Sequence, residues 1–390
     1  MVSAIDPFVA PIEGGVDILV VAGEHSGDQH AARMVRKLLA GNPSLRICAI
    51  GGPELEKAGA QLLFNLTEFS VVGFVEVLKH VKEFNALMLH SVNWVAKYRP
   101  SCVCFVDYPG FNLRLAARLA EAGISRKAGG NVSLFYYISP QIWAWKAGRR
   151  FKMARLLDAM AVIFPFEVDS YADTDLRACF VGHPFVFKGR ESGLRYDSNG
   201  PLLILPGSRV QAVSRIFPVM LCAFAELLKT RPQERAVVLY PDTRIKELLE
   251  KILARHALGS RVELRAAEQG AAAKACLISS GTMSLNCALA GIPGCICYRA
   301  HPLTYYMGKM FIKVPYLGIA NLLLPDEPPY REFIQGEARA GVLAADLLDA
   351  MDNPTRAAAS AAAAEKLRSA LSENNARDLC QWLVEVAHLA

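Results

Sequence analysis

Twice in the second half of this chain an apolar run breaks abruptly into glycine and hydroxyl residues, at Leu202–Arg209 (LLILPGSR) and at Leu277–Thr282 (LISSGT). A short run with no polar face is the pattern of a parallel strand covered on both sides, which restricts the chain to α/β architectures. A glycine turn after such a strand delivers the backbone to a helix N-terminus. There, unsatisfied N–H groups and the positive end of the helix dipole attract anions. Gly207 and Gly281 let backbone approach a ligand closely, and Ser208, Ser280 and Thr282 add hydroxyl donors. Arg209 adds a planar cation whose fork suits phosphate oxygens. Either loop alone reads equally well as an ordinary turn with small residues for packing. Both together, one with an arginine, point to a nucleotide diphosphate.

The first half alternates in the same way. Asp17–Ala22 predicts a buried strand running into GEHSGD at 23–28 and then a helix closed by Gly41 and Pro43, with Ser26 or Asp28 as its cap. The glycine spacing is not the GxGxxG fingerprint, so NAD is not expected. Further strands are expected at 45–50, 101–106, 131–138, 157–164 and 177–181. Asp107 stands at the carboxyl end of one of them, where doubly wound folds place their chemistry. It is read either as a general base or as an acid that bonds the following turn. Residues 188–200, polar and glycine-bearing, read as a linker. The second half then restarts with strands at 202–205, 236–240, 261–264, 275–279 and 294–298, and helices near 211–230, 243–256 and 282–290.

Residues 69–90 carry Val75, Leu78 and Val81 on one helical face, widened by Phe74, Val77 and Phe84 and interrupted by Lys79 and Lys82. That is either a core helix or a segment dipping its apolar side into a bilayer surface. Lys146, Arg149, Arg150, Lys152 and Arg155 form a basic cluster beside Trp143 and Trp145, suited to a solvated face, a phosphorylated substrate or lipid headgroups. Asp173 and Asp175 match a metal-binding pattern of some glycosyltransferases, but metal binding is not the expectation here.

The bulk numbers set the frame. At 390 residues the chain suits two domains, and 53% hydrophobic residues leave room for two cores. No run of about 18 uncharged apolar residues indicates a transmembrane helix. The first residues lack the charge and apolar pattern of a signal peptide, so a cytosolic place is expected. A net charge of +6 is modest, and no nucleic-acid partner is expected. The ten cysteines show no paired zinc spacing and read as reduced, mostly buried thiols.

In order, AGEHSGD (22–28), IGGPELEKAG (50–59), FSVVGFVEVL (69–78), VDYPGFNLRLA (106–116), YYISPQIWAWKAGR (136–149), FPFE (164–167), FVGHP (180–184), LPGSR (205–209), SSGTMSL (279–285), YRAHPLTYYMGK (298–309), KVPYLGIANLL (313–323) and REFIQ (331–335) resemble lipid-A-disaccharide synthase, a glycosyltransferase family of GT-B fold. The resemblance covers about residues 17–336. It implies two Rossmann-like β/α domains facing a cleft: an N-terminal acceptor domain over 1–187, the linker 188–200, a UDP-sugar domain over 201–365, and a C-terminal helix over 366–390 for which packing back on the N-terminal domain is one option. It implies an inverting transfer from UDP-2,3-diacylglucosamine to 2,3-diacylglucosamine 1-phosphate (lipid X), giving the β-1′,6-linked disaccharide 1-phosphate and UDP. It further implies peripheral attachment to the cytoplasmic face of the inner membrane and no cofactor or metal; monomer and homodimer both fit.

The resemblance also assigns residues. Asp107 matches the family's essential aspartate and Arg209 takes the leaving UDP charge. Gly207, Ser208, Ser280, Gly281, Thr282, Asn286, Asn321, Glu332 and Gln335 fall to the donor. Glu24, Ser26, Gly27, Asp28 and Asn112 fall to the acceptor side, and Phe74, Val75, Val77, Leu78, Val81 and Phe84 to membrane contact. Two positions depart from the pattern: Ala212 and Asn286 stand where the family usually has acids. Rival readings are another UDP-sugar enzyme of GT-B fold, epimerase-like or lipid-linked, and a catalytically weakened nucleotide-sugar-binding paralogue.

Overall fold

The computed structural model describes residues 7–71, 81–144, 146–186, 193–279, 281–300, 314–372, 374 and 376–389, with residues 69–71, 81 and 282 described by backbone alone. The chain forms two compact units, Met1–Pro184 with Glu373–Ala390, and Phe185–Ser372.

In the first unit, seven strands make a parallel sheet: β1 (Ile18–Ala22), β2 (Ile47–Gly51), β3 (Gln61–Asn65), β4 (Cys102–Val106), β5 (Ser133–Tyr137), β6 (Ala159–Val162) and β7 (Arg177–Phe180). Their order is β3-β2-β1-β4-β5-β6-β7. Every residue of β1, β2, β4, β5 and β6 is buried, as strands covered on both faces require. One face carries Leu19, Val21, Val103, Phe105 and Tyr136 into a core with Phe111, Leu115 and Trp94. The other carries Ile18, Val20, Cys104 and Phe135 into a core with Val35 and Leu38. That second face is completed by the last helix, Leu379–Ala387. Its Trp382 lies edge-on to Phe135 with centroids 5.3 Å apart, and Ser133 donates to the Val386 carbonyl at 2.9 Å.

The second unit repeats the pattern. Its six-stranded parallel sheet runs β11 (Val262–Ala266), β10 (Ala236–Tyr240), β9 (Leu202–Leu205), β13 (Ala275–Ile278), β14 (Gly294–Tyr298) and β15 (Arg331–Ile334). The helix Val210–Thr230 is long and apolar enough to cross a membrane by length and composition, yet its Val213, Phe217, Leu221 and Phe224 lie buried in this unit's core. The stretch 188–200, read as a linker, carries a short strand in its described part. Within it, β8 (Leu194–Tyr196) pairs in parallel with β12 (Ala271–Ala273), and Leu194 is buried. A single buried leucine in a three-residue strand leaves no periodicity to detect. β3 and β15 were also absent from the expected strands; β3 is half-buried throughout and lacks the wholly apolar run that marks a central strand.

Candidate functional site

Both strand orders reverse direction at one point, between β1 and β4 in the first unit and between β9 and β13 in the second. At such a switch point the loops leaving neighbouring strands diverge, and the carboxyl ends open a crevice that binds ligands.

In the first unit that crevice holds the GEHSGD loop after β1 and Asp107 after β4. Asp107 and Tyr108 both take left-handed backbone, each at φ 47°. For residues with a side chain this costs roughly 1–2 kcal/mol apiece. The double turn ends β4 sharply and starts the helix Pro109–Glu121. The Tyr108 ring packs where a side chain on Gly23 would stand, and a Cβ on Gly27 would lie 4.0 Å from the Asp107 Cβ. Gly23 and Gly27 therefore bring the first loop against the acid. Burial, then the Glu24 carboxylate, push Asp107 up to about 6, against a Tyr108 backbone hydrogen bond that pulls it down. A carboxylate with proton affinity raised towards neutrality suits a general base. Glu24 and Ser26 are exposed at the head of the helix His25–Gly41, beside this acid.

Two residues expected on the acceptor side do other work. Asp28 is fully buried. Its Oδ1 accepts from the Gly52 N–H at 2.8 Å and the Leu55 N–H at 3.3 Å, and its Oδ2 from the Glu54 N–H at 2.9 Å. It caps the short helix Pro53–Lys57, and a Cβ on Gly52 would collide with it at 2.5 Å. Neither Asp28 nor Ser26 caps its own helix; Glu24 is the N-cap residue, without a side-chain bond. Asn112 is equally buried, its Nδ2 directed at the carbonyls of Val21, Val106 and Asp107. Both side chains bond to backbone groups around the crevice.

In the second unit the PGSR and ISSGT loops leave adjacent strands, with Leu205 beside Ile278 in register. Gly207 is left-handed at φ 103°, and a Cβ there would sit 3.0 Å from Ser279 Oγ. Only glycine allows that approach. The helices that follow, Val210–Thr230 and Thr282–Leu289, start at Arg209 and Gly281 without side-chain caps, so their first N–H groups remain available to an anion. Ser208, Arg209 and Gly281 are exposed. The Arg209 guanidinium has no hydrogen bond or ion pair among the described residues. Ser280 and the Thr282 side chain lie outside the described residues. Ala212 is half-buried against the apolar core. Asn286 is buried, and among the described residues its side-chain amide meets only Met283 Sδ, at 3.6 Å.

The remaining residues expected at the donor make hydrogen bonds within the protein. Asn321 is fully buried, donating to the Tyr330 carbonyl at 2.9 Å and Glu332 Oε1 at 2.8 Å while accepting the Tyr330 N–H at 3.1 Å. Glu332 also accepts from the N–H groups of Leu317 and Gly318. Gln335 clasps Ala300 through both its N–H and its carbonyl. Together they tie β15 to the loop at 317–318 and to the end of β14.

Phe74, Val75, Val77 and Leu78 lie outside the described residues, as does the Val81 side chain. Phe84 is taken up by the protein, edge-on to Phe111 at 5.4 Å and beneath Arg114. Asp173 and Asp175 are ion-paired with Arg150 and Lys127. Among the described residues no cluster of three or more potential metal ligands occurs.

Two features escaped the sequence reading. Glu167, in FPFE, is buried and accepts from the N–H groups of Ile163 and Phe164 and from the Trp143 indole at 3.2 Å. Burial pushes it up to about 8 despite those bonds. An acid set among aromatic residues was its available signal. Tyr136, whose hydroxyl donates to the Asp107 carbonyl at 2.5 Å, gave none, because it looks like its neighbours in a buried strand. Trp145 lies outside the described residues.

Known proteins share this design. The family model described as lipid-A-disaccharide synthetase matches residues 18–385. Lipid-A-disaccharide synthase of Geobacter sulfurreducens is 35% identical over 365 residues, spanning 91% of each chain. Lipid-A-disaccharide synthase 1 of Legionella pneumophila strain Philadelphia 1 is 36% identical over 370 residues, spanning 92% of this chain and 94% of that one. Among solved structures, UDP-GlcNAc 2-epimerase from Neisseria meningitidis gives a TM-score of 0.61 at 10% identity over 96% of this chain and all of that one, 100%. The calicheamicin glycosyltransferase CalG4 gives 0.54 at 12% identity over 96% and 99%. At these identities the structural likeness speaks for the fold alone, the GT-B type of two Rossmann-like units. With the family model matched over nearly the whole chain and relatives above 30% identity over nine-tenths of it, the chain belongs to the lipid-A-disaccharide synthetase family.

Proposed function

We propose that this protein is an inverting glycosyltransferase that joins UDP-2,3-diacylglucosamine to 2,3-diacylglucosamine 1-phosphate, giving the β-1′,6-linked disaccharide 1-phosphate and UDP. The observation that carries this reading is that each unit has a switch-point crevice and that the two differ in chemistry. One presents a half-buried acid with raised proton affinity, Asp107. The other presents glycine turns, uncapped helix N-termini and Arg209. The acid takes the proton of the acceptor 6-hydroxyl as that oxygen attacks the anomeric carbon. The carbon–oxygen bond to the diphosphate breaks, and the departing charge falls on Arg209 and the N–H groups after Gly207 and Gly281. Donors aimed at charge that develops only as the bond breaks lower the barrier most. A single displacement inverts the anomeric centre.

No metal takes part in this scheme, the arginine and the helix ends supplying the positive charge. Acylated substrates suit an enzyme attached to the cytoplasmic face of the inner membrane, with the apolar 69–84 stretch as its contact. The test supplies purified protein with both substrates in detergent micelles and excess EDTA. The linkage and anomeric configuration of the product are then read by NMR. A β-1′,6 product formed in EDTA is expected. An α linkage, or turnover restored only by a divalent cation, would contradict the mechanism.

A further inference from the structure

We propose that Tyr136 and Asn112 are positioning residues for Asp107, clamping the left-handed turn that presents its carboxylate. The inference rests on the reading of Asp107 as the acceptor-activating base. Asp107 and Tyr108 are consecutive left-handed residues, and neither is glycine, so the turn needs outside support. The support falls on one atom. The Asp107 carbonyl accepts from Tyr136 Oη at 2.5 Å and from Asn112 Nδ2 at 2.7 Å, while its own N–H donates to the Tyr137 carbonyl at 2.9 Å. Both ends of the residue's backbone are thus tied down, by β5 on one side and the helix Pro109–Glu121 on the other.

The two clamping side chains are both fully buried, where a polar atom without a partner is costly. Tyr136 sits among Phe105, Met160 and Leu134 in the apolar core, so its hydroxyl has a purpose other than packing. Asn112 is still more telling. Its Oδ1 has no partner among the described residues, so the bonds seen come from the donor side of the amide. That side gathers the Asp107 carbonyl together with Val106 at 3.3 Å and Val21 at 3.4 Å, the ends of β4 and β1. Relaxing Asp107 to negative φ would swing its Cβ out of this arrangement. A displacement of about 1 Å at a reacting group is enough to cost on the order of a hundredfold in rate.

Tyr136→Phe keeps the ring and removes the clamp's hydroxyl. The expected result is a kcat lowered about tenfold, with KM for both substrates within about twofold of wild type. The groups facing the Asp107 carboxylate are Glu24 from the head of the first helix, Tyr108 next along the chain and Tyr136 from β5. A loosened turn releases the carboxylate from burial and from Glu24, so the acid limb of the pH–rate profile moves to lower pH. A merely structural role would not move that limb. Asn112→Ala, checked for folding by thermal unfolding, is expected to show the same signature with a larger loss. Wild-type kcat and an unmoved acid limb in Tyr136→Phe would overturn the proposal, as would a raised acceptor KM at unchanged kcat. Asp107→Asn measured alongside separates the two claims. If it keeps turnover, the base reading falls and the clamp with it; if it is inactive while Tyr136→Phe matches wild type, the clamp alone falls.

Discussion

Asp107 holds its proton more tightly than an ordinary carboxyl because it is buried and because Glu24 stands near. A base works only when deprotonated, so kcat/KM is expected to rise with pH through about 6 and level off above it. Replacing Glu24 by Gln removes the second cause, and the acid limb should move to lower pH in a pH–rate profile; an unmoved limb would show that Glu24 does not act on Asp107. In the other unit Asn286 is the position at which the family resemblance leads one to expect an acid on the ribose hydroxyls of the donor. A charged acceptor is worth ~1.5–3 kcal/mol against ~1 kcal/mol for a neutral one. Asn286→Glu should therefore tighten UDP binding about fivefold by calorimetry, and no tightening would remove this residue from the ribose. Single residues were unevenly legible in the sequence. Asp107, Arg209 and the glycines show themselves because each follows an apolar run. The internal bonds of Asn321, Glu332 and Gln335 were not legible, because a polar side chain in a motif looks the same whatever backbone N–H it meets.

The strands and helices were legible wherever burial is two-sided or periodic. β9, β10, β13 and β14 and the helix Val210–Thr230 fall within a residue or so of their expected ranges. Caps were less legible, because a cap is a long-range partner choice. Asp28 lies in the first turn of one helix and caps another, reaching the backbone of residues 52–55. Asp28→Ala would leave three N–H groups without their acceptor in a buried place. At ~1–3 kcal/mol for each unsatisfied group, partly relieved by relaxation, a loss of about 3 kcal/mol or more is expected in urea unfolding. A loss below about 1 kcal/mol would mean that water or a rearranged turn replaces the carboxylate.

For the whole molecule, the expected division into two β/α halves rests on the strand grammar, and each half carries the 3-2-1-4-5-6 order of doubly wound sheets. The return of the chain was harder to see. An alanine-rich tail has helix propensity everywhere, and the helix Pro354–Leu371 stays with the second unit while Leu379–Ala387 completes the first. Trp382 is the anchor of that return, fully buried against Phe135. Trp382→Ala is expected to cost ~3–5 kcal/mol, and hydrogen exchange should report the loss in β1, β4 and β5 rather than in β9 and β13. Equal loss of protection in both sheets would contradict the independence of the two cores.

The most direct measurement follows product with time, comparing wild type with Asp107→Asn on UDP-2,3-diacylglucosamine and 2,3-diacylglucosamine 1-phosphate in micelles. Wild type is expected to release disaccharide 1-phosphate and UDP in equal amounts, and Asp107→Asn to be slower by about 10²–10⁴-fold while still binding UDP. UDP released without disaccharide, no product from folded wild-type protein, or an Asp107→Asn variant near full rate would contradict the account.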